Sequence, residues 1–156
     1  MRLIGLAVVL TLSLTLAPLA AEAQPAQKMW RLGWLGDGSR TARESNTLSP
    51  LRDGLRELGY VEGENLVIDA RWSEGDDQQL ARDAAEFVRL NVDVIVTHGS
   101  AAGLVAKQAT TTIPIVVATA ADFVGAGLVA SLSRPGGNVT GTSDQAGEVL
   151  VKQIDL

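Results

Sequence analysis

Two apolar, β-branched runs, V-D-V-I-V-T at 92–97 and I-P-I-V-V-A-T at 113–119, flank a segment long enough for one helix. Runs without polar alternation need cover on both faces, as central strands of a parallel sheet do. Parallel neighbours cannot be joined by a hairpin, so the two runs and the helix between them predict a β-α-β crossover. The rest of the chain repeats that alternation. W-R-L-G-W-L at 30–35 reads as a strand running into the loop Gly36-Asp37-Gly38. Ser49-Pro50 reads as an N-cap with proline at the first helical position, and Leu48, Leu51, Leu55 and Leu58 form one stripe. Gly59 closes that helix in a left-handed conformation, and Tyr60 folds back on its last turn. Residues 65–72 alternate, with Leu66, Ile68, Ala70 and Trp72 on one face and Val67, Asp69 and Arg71 on the other, which predicts a strand at the sheet edge.

A turn at 73–77 leads to a second stripe, Leu80, Ala84, Phe87 and Val88. After His98-Gly99-Ser100, the residues Ala101, Leu104, Val105 and Gln108 share a face of a third helix. Pro114 stands near the start of its strand, where a missing N–H costs least. Residues 126–132 are helical at best, 134–137 form a tight turn, 138–142 a short fifth strand, and 148–156 begin another helix. The fold class expected is α/β, a doubly wound parallel sheet in the flavodoxin-like order 2-1-3-4-5, with its switch point between strands 1 and 3.

The first segment reads as an address. Arg2, an apolar stretch from residue 3 to residue 20 broken at Pro18, and the small-x-small site Ala21-Glu22-Ala23 predict a signal peptide over 1–23, cleaved after Ala23. The alternative is an uncleaved anchor, since 18 residues is the lower edge for a membrane span. The expected product is periplasmic or secreted, with a linker at 24–29 and an N-terminal α/β lobe at 30–156. The apolar pattern Val149, Leu150, Ile154 reaches Leu156 with no Gly, Asn or Pro to close it, so that lobe is expected to be incomplete, with a second lobe absent.

Composition narrows the chemistry. The chain has no Cys and one His, which removes disulfides, thiol nucleophiles and Cys-based metal sites and makes a His-dependent triad hard to build. A net charge of -5 and 4% aromatic residues argue against a nucleic-acid partner. No catalytic residue, metal site or cofactor is expected.

Several segments carry a resemblance. They are G-L-R-E-L-G-Y-V-E-G-E-N-L at 54–66, W-S-E-G at 72–75, V-D-V-I-V at 92–96, A-K-Q-A-T-T-T-I-P-I-V at 106–116 and, most specific, G-L-V-A-S-L-S-R-P-G-G-N-V-T-G at 127–141. Together they resemble the ABC transporter substrate-binding proteins with a type 1 periplasmic-binding-protein fold, the group that includes tryptophan- and other amino-acid-type binders. The resemblance implies two α/β lobes closing on a small polar solute, non-covalent capture, and docking on a membrane permease. Phe123 departs from the Asp-Pro pair usual in that family.

Ligands of open parallel sheets lie beyond the carboxyl ends of the strands, at the switch point. That edge carries Gly36, Asp37, Gly99, Ser100, Ala101 and Asp122 as candidate ligand-binding residues. Ser100 caps the third helix and, with the free amides behind it, offers a place for a carboxylate. Gly99 permits close backbone approach. Asp122 either receives an ammonium group or caps the short helix after it, and Asp37 is either a contact or a turn residue. Three patterns point elsewhere. G-A-G-L-V-A at 125–130 fits a loose dinucleotide pattern but follows the wrong strand. His98 and Ser100 stand at a strand-to-helix turn without the flanking glycines of a nucleophile elbow. Asn138-Val139-Thr140 is a glycosylation sequon by pattern. The alternatives to a solute binder are a secreted α/β hydrolase, a repressor effector domain, which the leader argues against, and a truncated product without function.

Overall fold

The computed structural model describes residues 28–134 and 136–143. The leader at 1–23, Pro135 and the helix expected at 148–156 lie outside the described residues.

Five parallel strands form one sheet: β1 (Trp30–Gly36), β2 (Leu66–Trp72), β3 (Val94–His98), β4 (Ile115–Ala120) and β5 (Val139–Ser143). Their order is β2-β1-β3-β4-β5, as expected. The helices are α1 (Arg40–Arg43), α2 (Ser49–Glu57), α3 (Asp77–Arg89) and α4 (Ser100–Ala109), with a π turn at Glu44–Leu48 between the first two.

Strand periodicity divides the core into two layers. On one face, Leu35, Ile95, Ile115 and Val117 meet Leu80, Ala84 and Phe87 of α3 and Ala102 and Ala106 of α4. On the other, Leu32, Trp34, Leu66 and Val96 meet Leu48, with Leu51 and Leu55 of α2 packed against them. Cover on both faces is what lets β1, β3 and β4 be almost continuously apolar.

Three local expectations are corrected. Ser49 is not an N-cap: the backbone is already helical at Leu48 and before it, so Ser49-Pro50 lies within a longer winding. The earlier turns carry no apolar stripe and so gave no periodic signal; Arg40 Nε donates to Glu44 Oε2 at 3.1 Å, one turn along. Leu58 is 75% exposed and belongs to no core. The buried face of α4 is Ala102, Gly103 and Ala106, rotated from the predicted Ala101, Leu104, Val105 and Gln108, of which Ala101 and Gln108 are exposed. A Cβ on Gly103 would stand 2.9 Å from Leu128 Cδ2 and 3.1 Å from Val117 Cγ2, so small residues bring this helix down onto the sheet. Gly59, at φ +86°, ends α2 as expected, and the Tyr60 amide donates to Leu55 O at 2.9 Å.

Candidate functional site

All five strands point the same way, so their carboxyl ends form one edge, with Trp72, Gly36, His98 and Ala120 ending β2, β1, β3 and β4 in order. Gly36 is in register with Trp72 on one side and His98 on the other. The edge is held by backbone bonds. The Ser73 amide donates to Gly36 O and the Gly75 amide to Asp37 O, each at 3.0 Å, and Ser73 Oγ donates to Asp37 O at 3.3 Å. Ser73 is buried, so the turn after β2 clamps the loop after β1.

Across the switch point, Gly99 has φ +91° and ψ 157°, a combination open only to glycine. The Gly99 amide donates to Thr119 O at 3.0 Å, tying the loop after β3 to β4. The half-buried Asp37 side chain lies directly against it: a Cβ on Gly99 would stand 2.7 Å from Asp37 Oδ2. The structure therefore brings Asp37, Gly99 and the opening of α4 together. Gly99, not Ser100, is the cap residue of α4; Ser100 is its first helical residue and makes no capping hydrogen bond. The reason is conformational. The sharp change of direction falls where glycine can take it, one residue earlier than the hydroxyl suggested. Ala101 is exposed on the first turn.

Asp122 is engaged in its own turn. Its Oδ1 accepts from the Val124 amide at 3.0 Å and the Gly125 amide at 2.8 Å, the capping role weighed above. No helix follows it: residues 126–132 are turns and bends, and Gly127 has φ +74°. The dinucleotide pattern at 125–130 thus lacks the helix N-terminus a pyrophosphate needs. The Asn138 amide nitrogen donates to Ile113 O at 2.7 Å and Thr110 O at 3.1 Å, so the sequon's asparagine bridges the loop before β4.

Positive charge at this edge is already committed. Arg71 forks onto Asp69, Nη2 to Oδ2 at 3.0 Å, and reaches the buried Asp83 at 3.4 Å. The Asp69 hydrogen bonds raise the guanidinium pKa further. Beside Arg71, the edge carries the Asp37 carboxylate, His98 at the end of β3 and the N–H groups opening α4, so an anionic point stands next to an electropositive helix end. That pair suits a zwitterion: an ammonium against Asp37 and a carboxylate against the helix amides. Among the described residues no group of three or more His, Asp or Glu stands ready to hold a metal.

The sequence reading missed Trp72. Its indole fills the space in front of Gly36, where a Cβ would collide with the ring, and its centroid is 5.8 Å from that of Trp34, tilted by 50°. The alternation of residues 65–72 placed Trp72 on the correct face but gave no sign that its strand position was the rim. A groove of about 300 Å³ lies at the opposite, amino end of the sheet, lined by Trp30, Leu55, Tyr60 and Val94 among others. It is apolar and far from the switch point, and the ligand chemistry does not converge on it.

Comparison with known proteins bears on the fold and the family. A family profile described as ABC transporter substrate binding protein matches residues 42–156. The chain is 40% identical over 90 residues to a tyrosine-binding protein of Clostridioides difficile (strain R20291), a stretch covering 58% of this chain and 26% of that protein. A conserved domain protein from Vibrio cholerae O1 biovar eltor superposes with a TM-score of 0.71 at 36% identity, covering 81% of this chain and 44% of that one. The ABC domain from Streptococcus pneumonia, solved in complex with L-Trp, gives 0.69 at 33% identity, covering 75% and 39%. The chain thus spans about a quarter of the curated relative's length and less than half of either solved chain. One of these relatives is named for binding tyrosine and another was solved with L-Trp; the family is one of substrate-binding proteins, not enzymes.

Proposed function

The chain belongs to the family of ABC transporter substrate binding proteins, and from that premise we propose that it supplies one lobe of a receptor for an amino acid. The lobe is residues 30–156, reached through the linker 24–29 after export and removal of 1–23. Residues Gly36, Asp37, Gly99, Ser100 and Ala101 form its share of the cleft, with Asp122 shaping the neighbouring turn. A second lobe closes from the other side, and the closed form docks on a membrane permease outside the cytoplasm. Among the described residues no helix is long and apolar enough to cross a membrane.

The observation that carries the ligand class is the Asp37 carboxylate against Gly99 at the opening of α4. A carboxylate there already answers part of the helix-end field. A purely anionic guest meets repulsion from it, and a purely cationic one wastes the amides. An α-amino acid offers an ammonium to the carboxylate and a carboxylate to the helix amides at once. Similarity to a tyrosine-binding protein and to a domain solved with L-Trp supports an aromatic guest.

The test is titration of the full chain with L-tyrosine, L-tryptophan, L-alanine, phenylpropionate and glucose, followed by amide chemical shifts of Gly99, Ser100 and Ala101. Amino acids should move these resonances, and phenylpropionate, lacking the ammonium, should bind at least tenfold more weakly, as loss of one charge-assisted bond of about 1.5–3 kcal/mol requires. Equal binding of phenylpropionate, or a response to glucose alone, overturns the proposal.

A further inference from the structure

We propose that Trp72 is the specificity-determining residue of this lobe: its indole forms the wall against which the guest's side chain lies, and it selects a flat aromatic one. The inference rests on the amino-acid reading above and adds the residue that distinguishes one amino acid from another.

Three observations converge. Trp72 is the last residue of β2 and so lies on the carboxyl edge, in register with Gly36. Its ring does not stay over its own strand. It lies across β1 in the space Gly36 leaves empty, which brings it toward the switch point. It is also only half-buried, whereas its partner Trp34 is fully enclosed beneath. Its tilted contact with Trp34, 50° at 5.8 Å between centroids, anchors the ring against the core of that face and leaves part of it exposed. The ring lies on the Trp34 face of β1 and α4 packs on the other face, so the two come together only beyond the strand ends, with β1 and β3 neighbours about 4.8 Å apart. A guest at the edge spans that crossing with its charged groups toward α4 and its side chain toward the ring.

The rest of the edge gives a side chain little to lie against. Around the switch point Gly36, Asp37, Gly99, Ser100 and Ala101 carry no ring, the half-buried His98 ends β3 beside Gly36, and Phe123 is buried. The charged pair at Asp37 and α4 reads only what all amino acids share. An indole can tell a planar guest from an aliphatic one, because offset stacking favours aromatic pairs beyond the area they bury.

The chain carries three tryptophans, and Trp30 lies at the amino end of the sheet, where it serves as an internal control. In the uniformly 15N-labelled full chain, L-tyrosine should shift the Trp72 indole N–H together with the Gly99 and Ser100 amides. L-alanine should shift those amides alone, and the Trp30 indole should stay put. Trp72→Leu should weaken L-tyrosine about three- to tenfold, the range of one aromatic pair, while leaving L-alanine within twofold. Trp72→Phe should restore most of the loss, and covers the case in which Trp72→Leu unfolds. If L-tyrosine moves the Gly99 and Ser100 amides but neither the Trp72 indole nor the tyrosine-to-alanine ratio responds, this inference is wrong and the amino-acid reading stands. If no amino acid moves those amides, both fall.

Discussion

Replacing Gly99 by alanine separates two energies that meet at one atom. The first is conformational. At φ +91° and ψ 157° the backbone is in a region where a Cβ is strained, at a cost of about 1–3 kcal/mol. The second is contact. The new methyl would stand 2.7 Å from Asp37 Oδ2, and the carboxylate must swing off its rotamer for about 0.5–1.5 kcal/mol. Asp37 is held through its own carbonyl by Ser73 and Gly75, so its backbone cannot retreat with the side chain. Gly99→Ala should therefore lose about 1.5–4.5 kcal/mol, a large part of the stability of a domain this size. In an Asp37→Ala background the contact vanishes and only the conformational part remains. The double-mutant cycle should then show a favourable coupling of about 1 kcal/mol. In urea unfolding followed by circular dichroism, with an m-value of about 2 kcal/mol/M, that is a midpoint difference of about 0.5 M. Strict additivity of the two substitutions would refute the placement of Asp37 against the opening of α4.

Three further outcomes are expected. The Lys28 ammonium, 2.9 Å from Asp93, and the Arg31 amide at 2.8 Å together hold the Asp93 carboxyl below the ordinary aspartate range. Its stabilising share is complete above the unfolded aspartate pKa of ~3.9 and is lost as pH falls through the lower folded value. The stability gap between wild type and Asp93→Asn should thus be flat near neutrality and close in acid; a gap undiminished at the lowest pH that still supports folding rules out a stabilising role for these contacts to Asp93. Phe87→Ala, emptying a fully buried site against β1, should cost about 3–5 kcal/mol in the same unfolding assay, and a loss under 1 kcal/mol contradicts the packing. Asn138→Ala should cost about 1–3 kcal/mol by orphaning two carbonyls, and mass spectrometry of protein made in a glycosylating host should find Asn138 bare.

The strand order was legible because burial on one face and on two faces leaves different patterns. Residues 65–72 alternate and form the edge strand, whereas 92–97 and 113–119 do not alternate and are central. The family resemblance was legible for a related reason: the described residues of its most specific segment, 127–141, are mostly bends and loop before β5, and Gly127 and Gly136 take positive φ there. What the sequence hid was governed by proximity. Ala102, Gly103 and Ala106 are the buried face of α4 because they are small enough to let it approach, and a search for large apolar residues favours Leu104 and Val105. Asp37, Gly99 and the opening of α4 lie together at the carboxyl edge, but the local conformations there were less legible. Ser100 resembled a cap, but the φ that Gly99 alone can adopt moved the cap back by one. Trp72 was hidden because nothing in W-S-E-G states that an empty Gly36, 36 positions earlier, invites its ring across the neighbouring strand.

The bonds from Ser73 and Gly75 to the carbonyls of Gly36 and Asp37 bear on the thermodynamics of capture. A receptor that must organise a floppy rim when its guest arrives loses affinity to that ordering. Here the ordering is finished during folding, by contacts the guest never sees. Weakening that turn should therefore cost affinity as lost entropy rather than lost enthalpy, with every direct contact to the guest still in place.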